Sequence, residues 1–150
     1  MGAVDWRPLA SSPKEWVDIK YDDPRLDSFA SEVETKYNLP QGIILALKNA
    51  GERTSNGKVS PAGAKGVMQF IDSTREAYQH DVNNPLASID ASARYMSDLI
   101  KQYGNPIAAI AAYNGGGAAA KAVLAGKEPP AKETREYISR IKEYLRKANQ

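Results

Sequence analysis

An all-α fold is predicted for this 150-residue chain, and three observations predict it. Apolar residues recur at the spacing of a helix in several separate segments. The pairs Asp23-Pro24, Asn84-Pro85 and Asn105-Pro106 have the chemistry of helix starts and stand directly before such segments. No strand-like alternation of apolar and polar residues is found, and no internal repeat.

Residues 1–23 carry Trp6, Trp16, Pro8 and Pro13 without a clear period. They read as an N-terminal arm whose Trp side chains pack onto a single domain spanning 24–150. From Pro24, Leu26, Phe29, Ala30, Val33 and Tyr37 recur at helical spacing, with Asp23 as the cap. Asn38-Leu39-Pro40 breaks that helix. Ile43, Ile44, Ala46 and Leu47 form a short segment that is apolar most of the way round, as a buried central helix should be. Arg53 to Val59 is polar and contains the turn signal Asn56-Gly57. Ser60-Pro61 reads as a helix cap followed by proline at the first helical position. Ser73-Thr74-Arg75-Glu76 has the pattern of a capping box that starts another short helix. Asn84-Pro85 opens the longest clean period, Leu86 through Tyr103, closed by Gly104. Asn105-Pro106 starts an Ala-rich helix, Ile107 to Tyr113, which Gly115-Gly116-Gly117 interrupts before a second one, Ala118 to Leu124. After the loop at Pro129-Pro130, a last helix from about Lys132 sets Ile138, Ile141 and Leu145 on one side, flanked by Tyr137 and Tyr144.

Composition narrows the function classes. The hydrophobic fraction of 42% suits a globular protein, and no apolar run is long enough to span a bilayer. A net charge of +2 with acids and bases interspersed gives no basic stripe, so no nucleic-acid partner is expected. The chain has no cysteine, which removes disulfides, thiolate nucleophiles and Cys-ligated zinc. The lone histidine, His80, reads as a solvated polar residue at a helix end, and no metal or cofactor is expected. Residues 1–5 lack the charged and apolar regions of a signal peptide.

The residues with chemical potential are few. Glu52 is the only acid between Glu34 and Asp72 and stands at the end of an apolar segment. It is followed by two Gly-containing turns carrying Gln69, Tyr113 and Asn114. Apolar helices with amide and hydroxyl groups on turns suit a carbohydrate cleft. Glycoside cleavage needs a proton delivered to the leaving oxygen, and a substrate-assisted enzyme manages with one carboxyl group. Such a group must hold its proton before turnover, and an apolar neighbourhood raises a carboxyl pKa by disfavouring the anion. Asp72, Glu76 and Asp81 read as capping or solvent-facing acids.

From about Leu39 to Tyr144 the chain resembles the soluble-type, lysozyme-like lytic transglycosylases, relatives of goose-type lysozyme. The resemblance rests on Ser60, Gly63-Ala64, Gly66-Val67-Met68-Gln69, Asn84-Pro85, Ala112-Tyr113-Asn114 and Glu133-Thr134-Arg135-Glu136-Tyr137-Ile138, in that order. It implies a lysozyme-like single helical domain with a cleft. One departure matters. The ungapped family spacing, counted back from Ser60, puts the family's Glu-Ser pair on Gly51-Glu52, and glycine cannot donate a proton. Either the loop is one residue shorter and Glu52 is the acid, or the acid is absent. We read the first, with Gly51 freeing the backbone and a bulge near it absorbing the shift. Thr54 or Ser55 then replaces the Ser that normally follows the acid.

By the same resemblance Glu52 is the catalytic residue, and Ser60 and Gln69 hydrogen-bond sugar or the surroundings of the acid. Met68 lines the cleft, against the plainer alternative of a core methionine. Tyr113 places its hydroxyl on substrate or on Glu52, against that of a core tyrosine. Asn114 binds an N-acetyl or peptide group, or caps the next helix. Tyr137 closes the cleft. The activity implied is cleavage of the MurNAc-β-1,4-GlcNAc bond of peptidoglycan to 1,6-anhydroMurNAc ends. Two alternatives stay open: lysozyme-type hydrolysis of the same bond, and a non-catalytic peptidoglycan-binding module of a larger assembly. The expected partner is the glycan strand, engaged by a monomer acting at the cell wall without inserting in a membrane. Delivery is expected through a virion, a lysis system or a parent protein, and the Gly-Glu variant favours a phage source.

Overall fold

Asp23 is where helix formation begins in the computed structural model, which describes residues 18–79 and 81–149. Its backbone is extended (ψ 132°), and its carboxylate accepts the backbone N–H of Arg25 at 2.9 Å, so one donor of the first turn is satisfied. The Arg25 guanidinium, 3.0 Å from both oxygens, holds the Asp23 carboxyl below the usual carboxylate range. Helix α1 then runs Pro24–Lys36 and buries Leu26, Phe29, Ala30 and Val33 along one stripe. A fully buried Leu or Phe of this kind contributes about 1.5–3 kcal/mol.

The next helix lacks a cap of its own. Gly42 precedes α2 (Ile43–Ala46) in a left-handed conformation and has no side chain to offer the exposed amides. Glu34 of α1 supplies the missing acceptor. Its carboxylate takes the N–H groups of Gly42, Ile44 and Leu45 at 2.9, 2.8 and 3.1 Å while being 1% exposed. Seated at a helix N-terminus, the carboxylate also meets the positive end of the helix dipole. From Leu47 to Glu52 the helix widens into a π-turn, ended by Arg53 in a left-handed conformation. The Arg53 N–H reaches five residues back to the Lys48 carbonyl at 3.0 Å.

Residues 53–71 form no helix, contrary to the expectation at Ser60-Pro61. Ser60 instead closes a tight turn, and single β-bridges pair Val59 with Lys65 and Lys65 with Phe70. Once Phe70 is paired, the chain is free to turn helical at once. Helix α3 therefore occupies Asp72–Ala77, with no side-chain cap at Ile71, and the Ser73–Glu76 pattern lies inside it rather than at its start. Helix α4 covers Pro85–Tyr103, with Asn84 Oδ1 accepting from Leu86 and Ala87. Helix α5 covers Pro106–Leu124, capped by Asn105 through Ile107 and Ala108. The expected interruption of α5 is confined to one residue, Gly116, whose φ of 77° is incompatible with a helix. Helix α6 covers Lys132–Ala148 and buries Thr134, Tyr137, Ile138 and Ile141 on one face.

The contacts divide the chain into two compact units, residues through Arg94 and residues from Tyr95 onward, with α4 contributing to each. Within the first, α1 packs on α2; within the second, α5 packs on α6. Of the expected arm, Trp6 and Trp16 lie outside the described residues, as does His80. Its last residues are tied down: Ile19 is buried, and its carbonyl accepts the Asn56 N–H at 3.0 Å. No helix among the described residues is long and apolar enough to cross a membrane.

Glu34→Ala removes the acceptor of three amides at a buried helix start. It should lower stability by about 2–4 kcal/mol, read as a shifted midpoint in urea unfolding, while Glu34→Gln loses less.

Candidate active site

Glu52 is the last residue of the π-turn and is half-buried. The turn is fastened from beneath by Lys48, which is 0% exposed. Its ammonium donates to the Tyr21 carbonyl, to Asp27 Oδ1 at 2.6 Å and to Asn49 Oδ1 at 2.7 Å. Burial pushes the Lys48 amine below the usual lysine range, against the opposing pull of Asp27. With three partners the ammonium is fully satisfied, which is the condition for burying a charge at all. After Glu52, the Thr54 hydroxyl donates to the Glu52 carbonyl at 2.8 Å. That contact uses the backbone of Glu52, so the carboxyl is not the group Thr54 engages.

The loop that follows is held by its own polar groups. Ser60 Oγ accepts from Ala64 N–H at 3.0 Å, and the Ser60 N–H donates to the Ala64 carbonyl at 2.8 Å. Lys65 and Phe70 exchange backbone bonds of 2.8 and 3.0 Å. Gly66 makes this compactness possible. Its φ is 78°, and a Cβ there would stand 2.8 Å from the Val82 carbonyl oxygen. Gln69, half-buried, is left-handed at φ 52°, a conformation costing a non-glycine residue roughly 1–2 kcal/mol. Its Nε2 donates to the Gly66 carbonyl at 2.8 Å, which helps hold it there. Met68 is 0% exposed.

In the second unit, the rings of Tyr113 and Tyr95 meet at 5.4 Å and 38°. Burial raises the Tyr95 hydroxyl above its ordinary range, with Tyr103 adding to it. Asn114 Oδ1 accepts the Thr134 hydroxyl at 2.8 Å, tying α5 to α6. Gly115 lets the helices come that close, since a Cβ there would lie 2.7 Å from Thr134 Oγ1. Tyr137 is 2% exposed, with the Arg140 guanidinium 5.9 Å from its ring centre.

The Transglycosylase SLT domain family matches residues 28–138, which is most of the chain. The protein belongs to that family. Among solved structures, this SLT domain is similar to lytic transglycosylase Slt from Pseudomonas aeruginosa, determined as an inactive glutamate-to-glutamine mutant. The TM-score is 0.67 and the identity 22%, over 82% of this chain and 24% of that one. At that identity the likeness bears on the fold, which is the all-α, lysozyme-like one expected. The SLT domain here spans about a quarter of the length of that enzyme.

The expected site residues fall into two groups. The first unit carries Glu52, Ser60, Met68 and Gln69; the second carries Tyr113, Asn114 and Tyr137. Glu52, Gln69, Tyr113 and Asn114 all keep part of their surface open. Met68 does not line an open surface, because its side chain is wholly enclosed, and Tyr137 is likewise core. Ser60 spends its hydroxyl on the turn, and Asn114 bonds Thr134 instead of capping a helix. Sequence reasoning missed Glu34 and Lys48. For Lys48 a signal existed: a lysine directly after an apolar-all-round segment stands where its stem is drawn into the core and its ammonium then needs partners. Among the described residues, no group of three His, Asp or Glu side chains is placed to hold a metal ion.

Gly115→Ala forces Thr134 away from Asn114. It should cost about 1–3 kcal/mol and lower Tm, and a Gly115→Ala/Thr134→Ser double variant, which removes the Thr134 methyl, should recover part of the loss.

Proposed function

We propose that this SLT domain is a peptidoglycan lytic transglycosylase in which Glu52 serves as acid and then as base. The observation that carries the reading is the π-turn at Leu47–Glu52. A π-turn takes one residue more per hydrogen-bonded turn than an α-turn, so it absorbs the one-residue offset between the family spacing and Glu52. With the offset absorbed, the non-catalytic reading loses the feature that favoured it. The half-buried position of Glu52 at the end of an apolar helix suits a carboxyl that must stay protonated until substrate arrives. The related Slt, described as inactive when a glutamate becomes glutamine, is consistent with a required carboxyl in this fold.

In this mechanism Glu52 gives its proton to the oxygen between N-acetylmuramic acid and N-acetylglucosamine, and that C1–O bond breaks. The acetamido oxygen of the muramyl residue attacks its own anomeric carbon, forming an oxazolinium ion. The Glu52 carboxylate then takes the proton of the muramyl 6-hydroxyl. That oxygen attacks C1, opens the oxazolinium and leaves a 1,6-anhydro ring. Glu52 ends protonated, and no water is consumed. Gln69, its Nε2 fixed on Gly66, has its Oε1 to accept from a sugar N–H or hydroxyl. Tyr113 and Asn114 are assigned to substrate by their place in the family motif. The enzyme acts at the cell wall. Because Slt carries this fold in 24% of its length, we favour delivery within a larger polypeptide.

Glu52→Gln should lower the release of muropeptides from sacculi by at least about 10²-fold with helical circular dichroism unchanged. Mass spectrometry of the parent digest should give ends one water lighter than reducing sugars. Full-mass reducing ends would mean hydrolysis instead, and an undiminished Glu52→Gln variant would remove Glu52 from the role.

A further inference from the structure

The second unit contains a groove of about 650 Å³ between α5, the loop after it and one face of α6. None of its lining residues belongs to the set assigned to catalysis above. Ile107, Val123 and Ile138 give it an apolar side, and Lys127, Arg135 and Lys142 give it a cationic one. What distinguishes this groove is the state of its charges. Glu143, which also lines it, is taken up by Arg146 at 3.0 and 2.5 Å, and that guanidinium holds its carboxyl below the usual range. Lys127, Arg135 and Lys142, by contrast, have no carboxylate within salt-bridge distance among the described residues. Only Glu128 stands against them in the lining. Arg135 is also preset: its Nη1 donates to the carbonyls of Pro129 and Pro130 at 2.9 and 2.7 Å, which fixes the guanidinium plane before any ligand arrives.

We propose that this groove binds the carboxylate-bearing peptide stems of peptidoglycan, a second anchoring site for the polymer; the proposal rests on the function given above. A glycan backbone of amide and hydroxyl groups offers no anion to three unneutralised cations. The peptides attached to it combine free carboxylates with small methyl side chains, and so match a groove that is cationic on one side and apolar on the other. The volume lies within the range that encloses a ligand of a few residues. Arg135, with its planar donors, suits a bidentate carboxylate, while the mobile Lys127 and Lys142 ammonium groups suit carboxylates at less defined positions. Holding the peptide would keep a cutting domain on a meshwork of strands between cleavage events, at no cost to the chemistry at Glu52.

The test uses the whole chain carrying Glu52→Gln, so that the wall is not consumed, with and without the further changes Lys127→Glu and Lys142→Glu. Both lysines are exposed, and circular dichroism checks that the fold is kept. Each form is pelleted with intact sacculi and, separately, titrated against chitohexaose, an uncharged β-1,4-linked N-acetylglucosamine oligomer that has the glycan's amides and hydroxyls but no carboxylate. The two charge reversals should weaken binding to intact sacculi about tenfold or more, and less so at high salt, while leaving binding of the uncharged oligomer unchanged. Equal affinity of both forms for intact sacculi overturns the proposal, and so does an equal loss on both materials. If peptidoglycan is not the substrate at all, the form without charge reversals binds neither material, an outcome distinct from a failure of the groove alone.

Discussion

The carboxylate of Glu34 satisfies three amides of a helix that has no cap of its own, and the segment bearing Glu52 depends on that satisfaction. Helix α2 buries Ile43, Ile44 and Ala46 and starts at a left-handed glycine, so no side chain at its own start can meet the amides of its first turn. Unmet amides there would cost more than a short helix can return from propensity, which for four residues is close to nothing. One acid from the preceding helix resolves this. Its other end is secured by Lys48, again through a group from α1 and the residues before it. The segment thus hangs between two buried charged side chains, both fully partnered.

That arrangement explains why irregular backbone is tolerated beside Glu52. A π-turn followed by a left-handed Arg53 is poor helical geometry, and an isolated chain would relax it. Held at Glu34 and Lys48, the irregularity persists. The loop that follows obeys the same logic by another route. Ser60, Gly66 and Gln69 turn their polar groups onto the loop's own backbone, so a segment without helix or sheet keeps a defined shape. In both places, irregular backbone at or beside a residue assigned to function is held by side-chain hydrogen bonds to the backbone.

Much of the fold was legible in the chain. Every helix start marked by Asp or Asn before Pro is a helix start, because those caps act within a few residues and need nothing distant. The two misplaced starts, at Ser60 and Ser73, are capping patterns that the neighbouring loop overrides. Ser60 is drawn into a turn with Ala64, and the pairing of Lys65 with Phe70 lets α3 begin before Ser73. Among the site residues, Met68 and Tyr137 are enclosed, which residue type alone conceals. A motif records which residues belong together and does not distinguish the ones that touch a ligand from those that support them.

The amino-acid sequence by itself determined the helical class, the helix boundaries set by local caps, the lone acid at Glu52 and the family to which the chain belongs. Only the tertiary structure decided that Glu34 caps a helix eight residues away, that Lys48 is buried on Asp27, and that three cations of the α6 groove lack carboxylate partners among the described residues. The physical reason is range. Capping and periodicity are contacts between near neighbours in the chain, whereas burial, pairing of charges and the widening of one helical turn depend on what distant segments bring to the same place.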